Sequence, residues 1–441
     1  MKLRQFPGTN VKVSPLGMGC MRLPTLDAEN NPIDRPEAIR MIRTAIDRGL
    51  NYVDTAYGYH GGDSEVLVGE ALADGYREKV TLTSKLPLWK VEKYEDMEAL
   101  LDEQLSRLKT DHLDFYLAHA VDGERFDRLM PVGLLQFFDE MKKKGKILHV
   151  GFSFHDDFDV FKRVVDSYPW ELAQVQMNIL DEFHQATMKG VEYAASKGIG
   201  VVVMEPLRGG ALTRNIPEEV QALYAAQPVR RSPAEWAFRY LYNRPEVVTI
   251  LSGMSTMEQI EDNLRIFEHA DANCVSAEEA AMYVRVREAY EARIRVGCTG
   301  CEYCQPCPQE IKIPQIFRRY DSCAMFGGFE GFYKNYVEEP SAKKCVGCGA
   351  CAAACPKHVI SMRTMAAKPV VLCSNHERGA AVNKACSKGC IACGLCVKNC
   401  PEQAITLDNF LAKIDYSKCT GCGTCVSKCP KKVILMPADF E

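Results

Sequence analysis

Sixteen of the 21 cysteines in this chain stand in four blocks near the C-terminus, each ending in Cys-Pro. They are Cys298/Cys301/Cys304/Cys307, Cys345/Cys348/Cys351/Cys355, Cys390/Cys393/Cys396/Cys400 and Cys419/Cys422/Cys425/Cys429. Three of the blocks read C-x2-C-x2-C-x3-C-P, a spacing in which three thiolates wrap one iron–sulfur cube and the fourth reaches a neighbouring cube. Such blocks work in pairs, so four of them imply four [4Fe–4S] clusters and chemistry by single electrons. Zinc is the competing reading, because CxxC pairs are also zinc knuckles. A tetrahedral zinc takes two separated pairs, however, whereas here three sulfurs arrive close together and a fourth follows before a proline. Disulfides fit less well. Residues 1 to 50 show no apolar signal segment, and secreted chains this rich in cysteine are usually short. The expected setting is reducing, cytoplasmic and anaerobic.

A second set of chemical residues lies far upstream: Asp54, Tyr59, Lys85 and His119. A phenol near a buried lysine is expected to have its pKa lowered by the positive charge. An aspartate keeps that lysine charged, and a histidine can donate to a substrate oxygen. Together they could protonate a carbonyl oxygen as hydride reaches its carbon. Singly, each would be an ordinary satisfied polar group; only the elements that carry them could make them a site.

Those elements are legible over residues 1 to 297. Short β-rich runs at 14–21, 51–56, 80–85, 113–119, 148–154, 172–178, 198–206 and 247–253 alternate with amphipathic segments such as RPEAIRMIRTAIDRGL. Eight such units in about 300 residues predict a (β/α)8 TIM barrel, whose chemistry sits at the C-terminal ends of its strands. Asp54, Lys85 and His119 end strands two, three and four, and Tyr59 follows strand two. Ahead of them KLRQFPGTNVKVS reads as a hairpin closing the barrel floor. The predicted fold is therefore α/β, a barrel over 1–297 followed by two ferredoxin-like dicluster regions at 298–360 and 370–441.

Bulk properties agree with several domains. The chain has 441 residues, 47% of them hydrophobic, and no run long enough to suggest a membrane span. The net charge of −4 conceals an asymmetry, since residues 298–441 carry 18 Lys+Arg against 12 Asp+Glu. A cluster with four thiolates is formally about −2, so these cations are expected to offset the clusters. Binding of nucleic acid is not expected, because no aromatic residues interleave with the basic ones.

The first 296 residues resemble the aldo/keto reductase family through LGMGCMRL, NYVDTAYGYHGGDSE, TLTSKLP, DFYLAH, GFSFH, VQMNIL, EPLRGG and LSGMSTMEQIEDNL. The resemblance implies that Asp54, Tyr59, Lys85 and His119 form the family's catalytic tetrad, with Tyr59 as general acid/base and Tyr57 its nearest competitor. It also implies NADPH or NADH in the barrel mouth, with Ser153 and Gln176 gripping the carboxamide. Ser252, Gly253, Ser255, Gln259 and Asn263 would lie near the phosphates, where barrels commonly bind them. NADPH-selective members carry a basic residue early in the last segment. This chain has Met254-Ser255-Thr256-Met257 there, leaving Arg265 as a substitute and the nicotinamide preference open.

The first cysteine blocks resemble a subfamily of aldo/keto reductases with a ferredoxin-like extension. That resemblance implies Cys298, Cys301 and Cys304 with Cys355 on one cluster, and Cys345, Cys348 and Cys351 with Cys307 on a second. The first block departs from the pattern, with two residues before its last cysteine. Residues 370 onward resemble the C-terminal ferredoxin region of the B subunit of the Rnf electron-transport complex. There the exchange rule pairs Cys390, Cys393 and Cys396 with Cys429, and Cys419, Cys422 and Cys425 with Cys400. CIACGLCVKNCPEQAI and CTGCGTCVSKCPKKVI read as an internal duplication. Of the other cysteines, Cys20 reads as a small buried hydrophobe that could line the pocket, Cys274 and Cys323 as buried spectators. Cys386 stands close enough to Cys390 to replace it, and Cys373 also lies near that block.

Three functions compete. In the first, the barrel reduces a carbonyl or oxidises an alcohol while the clusters carry electrons to or from a ferredoxin, flavodoxin or flavoprotein. In the second, a plain nicotinamide-dependent carbonyl reductase uses its clusters as staples or sensors. In the third, an electron-transfer module uses the barrel as a docking scaffold. A complete tetrad argues against the third, and four clusters against the second. The first carries a difficulty: nicotinamide gives two electrons as hydride and clusters pass one, so coupling them normally needs a flavin. No flavin signature is visible. Either a partner supplies the flavin, or the substrate takes electrons singly while Tyr59 supplies protons.

Overall fold

The computed structural model describes residues 1–26, 32–298, 301–329, 331–332, 345, 348–356, 360, 368–371, 373, 378–385 and 389–436. They group into two compact units: Met1–Gly297 with Phe317–Asn335, and Cys298–Ile316 with Tyr336–Glu441.

The first unit is a closed barrel of eight parallel strands: β1 (Leu16–Gly19), β2 (Tyr52–Asp54), β3 (Thr81–Leu86), β4 (Leu113–Val121), β5 (Ile147–Phe154), β6 (Leu172–Gln176), β7 (Gly200–Met204) and β8 (Val247–Ser252). Each pairs with the next in sequence, and β8 closes on β1 with Ile250 opposite Leu16. All eight overlap the runs read from sequence, with β3, β4 and β5 reaching one or two residues beyond theirs. Arg4–Gln5 and Lys12–Val13 form the floor hairpin. It plugs the barrel with Phe6, whose ring lies 4.7 Å from that of Phe115, among buried Tyr52, Leu172, Val202 and Val248. Close packing at the wall leaves no room at Gly151, where a Cβ would come within 2.6 Å of the Leu172 carbonyl.

Helices cover the barrel outside. Arg35–Asp47 starts on Asp34, whose carboxylate accepts from the Glu37 amide, and it buries Ala38, Met41, Ile42, Ala45 and Ile46 at helical spacing. The helix Ala277–Glu291 closes the barrel segment, and residues from Phe317 pack back onto this unit. Asp321 accepts from the amides of Arg295, Val296 and Gly297, and the Phe326 ring lies 5.3 Å from that of Tyr290. Part of the stretch between the first two cysteine blocks therefore packs with the barrel unit.

The second unit has short elements. Val370–Val371 pairs with Ile434–Leu435, Ile405–Asp408 forms a hairpin with Leu411–Ile414, and short helices Leu395–Lys398 and Thr424–Lys428 follow the cysteine runs. Among the described residues no helix is long and apolar enough to cross a membrane.

Candidate active site and cysteine cradles

Asp54 ends β2 and Lys85 lies near the end of β3, with Lys85 fully buried and Asp54 nearly so. The Lys85 ammonium donates to Asp54 Oδ1 at 2.7 Å and to the Thr55 carbonyl at 2.8 Å. Burial opposes its charge, but Asp54 and Tyr59 outweigh that cost and hold its pKa above the usual lysine value. Burial likewise raises Asp54 despite Lys85. Lys85 Nζ lies 5.1 Å from the Tyr59 ring centroid, and the Tyr59 and His119 rings meet edge-on at 6.1 Å. The four residues read from sequence do converge.

Their electrostatics differ from the expectation on one point. Burial raises the Tyr59 phenol more than Lys85 lowers it, so its pKa stands above the ordinary value. Desolvation exceeds one cation's attraction, and the phenol stays protonated at neutral pH. His119 is pushed well below its usual range by burial, then by Lys85, His155 and Arg125, and is a neutral imidazole. Its Nδ1 and Asp54 Oδ2 are buried without hydrogen-bond partners among the described residues.

Local structure explains why Tyr59 rather than Tyr57 faces this group. Tyr57 donates to Glu103 Oε2 at 3.1 Å, with the Arg107 guanidinium 4.3 Å from its ring, and it is absent from the cleft wall. Tyr59 opens a tight turn, Tyr59–Gly62, in which His60, Gly61 and Gly62 take left-handed backbone, at φ of 49°, 66° and 102°. A side chain at position 62 would be strained there. Ser64 fastens the loop from below, donating to the Cys20 carbonyl at 2.8 Å while paired with Thr55 Oγ1 at 2.9 Å. Cys20 is fully buried, and it does not line the cleft.

A buried network behind the loop has no counterpart in the sequence reading. Glu65, wholly buried, accepts from Ser84 Oγ at 2.6 Å, Gln104 Nε2 at 2.5 Å and Arg107 Nη1 at 3.2 Å. Gln104 also donates to the Lys85 carbonyl at 3.1 Å, accepts from Tyr116 and ties Tyr94–Leu108 to the site. A visible signal existed: Gln104 is the one polar member of a buried face otherwise formed by Met97, Leu101, Leu105 and Leu108.

The tetrad opens into a cleft of about 2500 Å³ of atom-free space at the C-terminal mouth, where Asp54, Tyr59 and His119 form part of the wall. Ser153, Ser252, Gly253, Ser255, Gln259 and Asn263 line it too. Ser153 Oγ accepts from the Ala120 amide at 2.8 Å, and Asn263 donates to Ser252 Oγ at 2.9 Å. Ser255 donates to the Arg22 carbonyl, and Thr256 caps the helix Met257–Phe267 by accepting from the Gln259 amide. Gln176 departs from expectation. It ends β6 with its amide donated to Asp181 at 2.8 Å, off the cleft wall. Gln174, one strand period earlier, lines the cleft, and its Oε1 is buried without a partner. Arg265 is also elsewhere, paired with Asp262 at 2.8 Å and Glu235 at 3.2 Å. The cleft wall there carries Glu258 and Asp262, with Arg22 and Arg214 as its guanidinium groups.

In the second unit two hollows are ringed by cysteines. Cys390, Cys393, Cys396 and Cys429 line one of about 340 Å³, and Cys400, Cys419, Cys422 and Cys425 line another of about 270 Å³. Each takes three cysteines from one block and the last from the other. The Cys396 thiol is pushed up by burial and by its neighbours Cys390, Cys393 and Cys429. Burial and Cys419 push Cys425 to about 11. The Ala404 amide points at Cys400 Sγ (3.3 Å) and the Val433 amide at Cys429 Sγ (3.4 Å), bonds that suit a thiolate. Four cysteines around one hollow, three from one block and the last from the other, suit a cube of iron and sulfide. Among the described residues no cysteine group draws in tightly enough for a single metal ion. Upstream, Cys304 is raised by burial and then by Cys298, Cys301 and Cys351 nearby.

Of the remaining cysteines, Cys274 and Cys323 are half-buried rather than buried. Cys373 Sγ accepts from the Cys390 amide at 3.3 Å. Cys386 lies outside the described residues.

A barrel with a buried ammonium–carboxylate pair under a protonated phenol, joined to cysteine cradles of ferredoxin type, is an iron–sulfur oxidoreductase. The chain belongs to the aldo/keto reductase family, whose model matches residues 15–273. Models of 4Fe-4S dicluster domains match residues 297–360 and 389–433. Curated relatives match the barrel. The L-galactose dehydrogenase of Arabidopsis thaliana is 25% identical over 292 residues, 60% of this chain and 87% of that protein. The NADH-specific methylglyoxal reductase of Escherichia coli is 25% identical over 307 residues, 60% of this chain and 93% of that protein. Among solved structures, the holo form of an aldo-keto reductase from Bacillus halodurans superposes with a TM-score of 0.55 at 27% identity. It covers 65% of this chain and 96% of its own.

Proposed function

We propose that the barrel reduces a small carbonyl compound, or in reverse oxidises an alcohol, and that four [4Fe–4S] clusters connect the protein to an external single-electron carrier. The observation that carries the reading is the buried Lys85–Asp54 pair at 2.7 Å beside Tyr59 and His119. Tyr59 gives its proton to the carbonyl oxygen. Lys85, kept cationic by Asp54, stabilises the phenolate left behind, and neutral His119 orients the oxygen by hydrogen bonding. Trp89 stands beside this group, its ring 5.1 Å from that of His119.

A nicotinamide nucleotide, when bound, supplies hydride. Ser153 and Gln174 would hold its carboxamide, and Ser252, Gly253, Ser255, Gln259 and Asn263 its phosphate end. The wall carries Glu258 and Asp262 together with Arg22 and Arg214, so its charge does not select between NADH and NADPH. The name of the Escherichia coli relative supports NADH. The clusters, when assembled, pass single electrons. Cys390, Cys393, Cys396 and Cys429 would hold one and Cys400, Cys419, Cys422 and Cys425 another. Cys298, Cys301, Cys304 and Cys355 would hold a third, and Cys345, Cys348, Cys351 and Cys307 the fourth.

Anaerobic purification with iron and sulfide counting, followed by carbonyl turnover with NADH, NADPH or a reduced carrier, tests the reading. About sixteen irons per chain and carrier-driven turnover support it. Zinc, or far less iron, overturns the cluster part. NADH turnover at an unchanged rate after cluster removal makes the clusters staples.

A further inference from the structure

The two C-terminal cradles are copies of each other that differ in charge at one wall position. Aligning residues 390–405 with 419–434 places Glu402-Gln403 opposite Lys431-Lys432. Because the blocks exchange their last cysteines, Lys431 lines the hollow of Cys390, Cys393, Cys396 and Cys429, and Glu402 lines the other. Lys413 and Lys418 pair with Asp408 and Asp415 at 3.5 and 3.7 Å, whereas Lys431 and Lys432 form no ion pair with any described residue. The lysine-bearing hollow is also walled by Leu407, 42% exposed, and by the exposed thiol Cys393. Phe410, 43% exposed, sits at the tip of the Leu407 hairpin. One cradle thus has a rim that is cationic and apolar, and its twin has an acidic one.

We propose that the Cys390/Cys393/Cys396/Cys429 side is the port where a small acidic carrier of the ferredoxin type docks, and that the Glu402 side is closed to it. This rests on the external-carrier part of the proposed function. Lys431 and Lys432, without an ion pair among the described residues, steer an acidic partner, and apolar side chains around the cradle hold it close once it arrives. At each encounter the carrier is oxidised by one electron and the group in the cradle is reduced by one, with no bond or proton change.

The test is stopped-flow reduction of the anaerobic holoprotein by a dithionite-reduced acidic ferredoxin, freed of excess dithionite and followed by cluster absorbance over a range of salt. The Lys431→Glu/Lys432→Glu variant should lose at least about tenfold in second-order rate at low salt, with the gap closing as salt rises. Lys418→Glu makes a like reversal beside Cys419, and should lose less than about threefold. Equal losses in the two variants, or no loss in the first, overturn the proposal. Iron content and the EPR spectrum after direct dithionite reduction show that each variant's cradles are filled, so a folding failure is not mistaken for a docking defect. If Lys431→Glu alone retains iron and reduces at the wild-type rate, the port is elsewhere. Cluster reduction is read without any carbonyl substrate, so failure of the barrel chemistry leaves this outcome readable.

Discussion

The barrel and the cysteine-rich unit build their chemistry in opposite ways. In the barrel a large apolar core holds ionisable groups in place, with Lys85, Glu65 and Ser84 wholly buried and hydrogen-bonded. In the second unit the described core around the last two blocks has nine buried residues, and three of them, Cys390, Cys396 and Cys425, are block cysteines. Its strands are two or four residues long. The barrel therefore prepays the ordering of its site through packing, whereas the second unit leans on the groups its thiolates hold.

Removing the clusters should give the largest effect. Chelation under air should abolish the protease resistance of residues 336–441 while the barrel's near-UV circular dichroism and its main unfolding transition persist. Simultaneous loss of both would show that the barrel depends on the tail. Next, Tyr59→Phe should lower carbonyl turnover by about 10² to 10⁴ with thermal stability unchanged, whereas Tyr57→Phe should keep most activity. Steady-state kinetics on the two variants checks which tyrosine acts.

Lys85→Met strands Asp54 as an uncompensated buried carboxylate, and should cost about 3–5 kcal/mol of barrel stability in denaturant titration. A comparable substitution at exposed Lys413 should cost under about 1 kcal/mol. The smallest effect concerns pH. His119 is neutral and its folded pKa is depressed, so the unfolded chain binds the extra proton first. Barrel stability should then fall as pH drops below about 6.5, and His119→Gln should flatten that slope in melts from pH 7 to 5. On the alkaline side Tyr59, with its raised pKa, should keep its proton-donating form to beyond about pH 10, so the limb of carbonyl reduction should lie there.

How much was legible in sequence follows the same division. The eight strands, the floor hairpin and the cysteine blocks are local patterns: period-two alternation, turn residues and fixed ligand spacing. The convergence of Asp54, Tyr59, Lys85 and His119 could be read because a barrel brings its strand ends together by topology. Gln174 and Gln176 share a face of β6, and only the structure shows that Gln176 donates to Asp181 while Gln174 lines the cleft. Arg265 looked available until its partners Glu235 and Asp262 were in view.

By itself the sequence determined the element order, the barrel class and the cysteine blocks, since each depends on residues near one another in the chain. Tertiary structure alone decided that the Tyr59 phenol stays protonated, and that Glu65, Gln104 and Arg107 brace the loop behind it. It also set Lys431 on one cradle and Glu402 on its twin. These outcomes depend on burial and on partners far apart in sequence, and desolvation acts only once the chain has closed around a group.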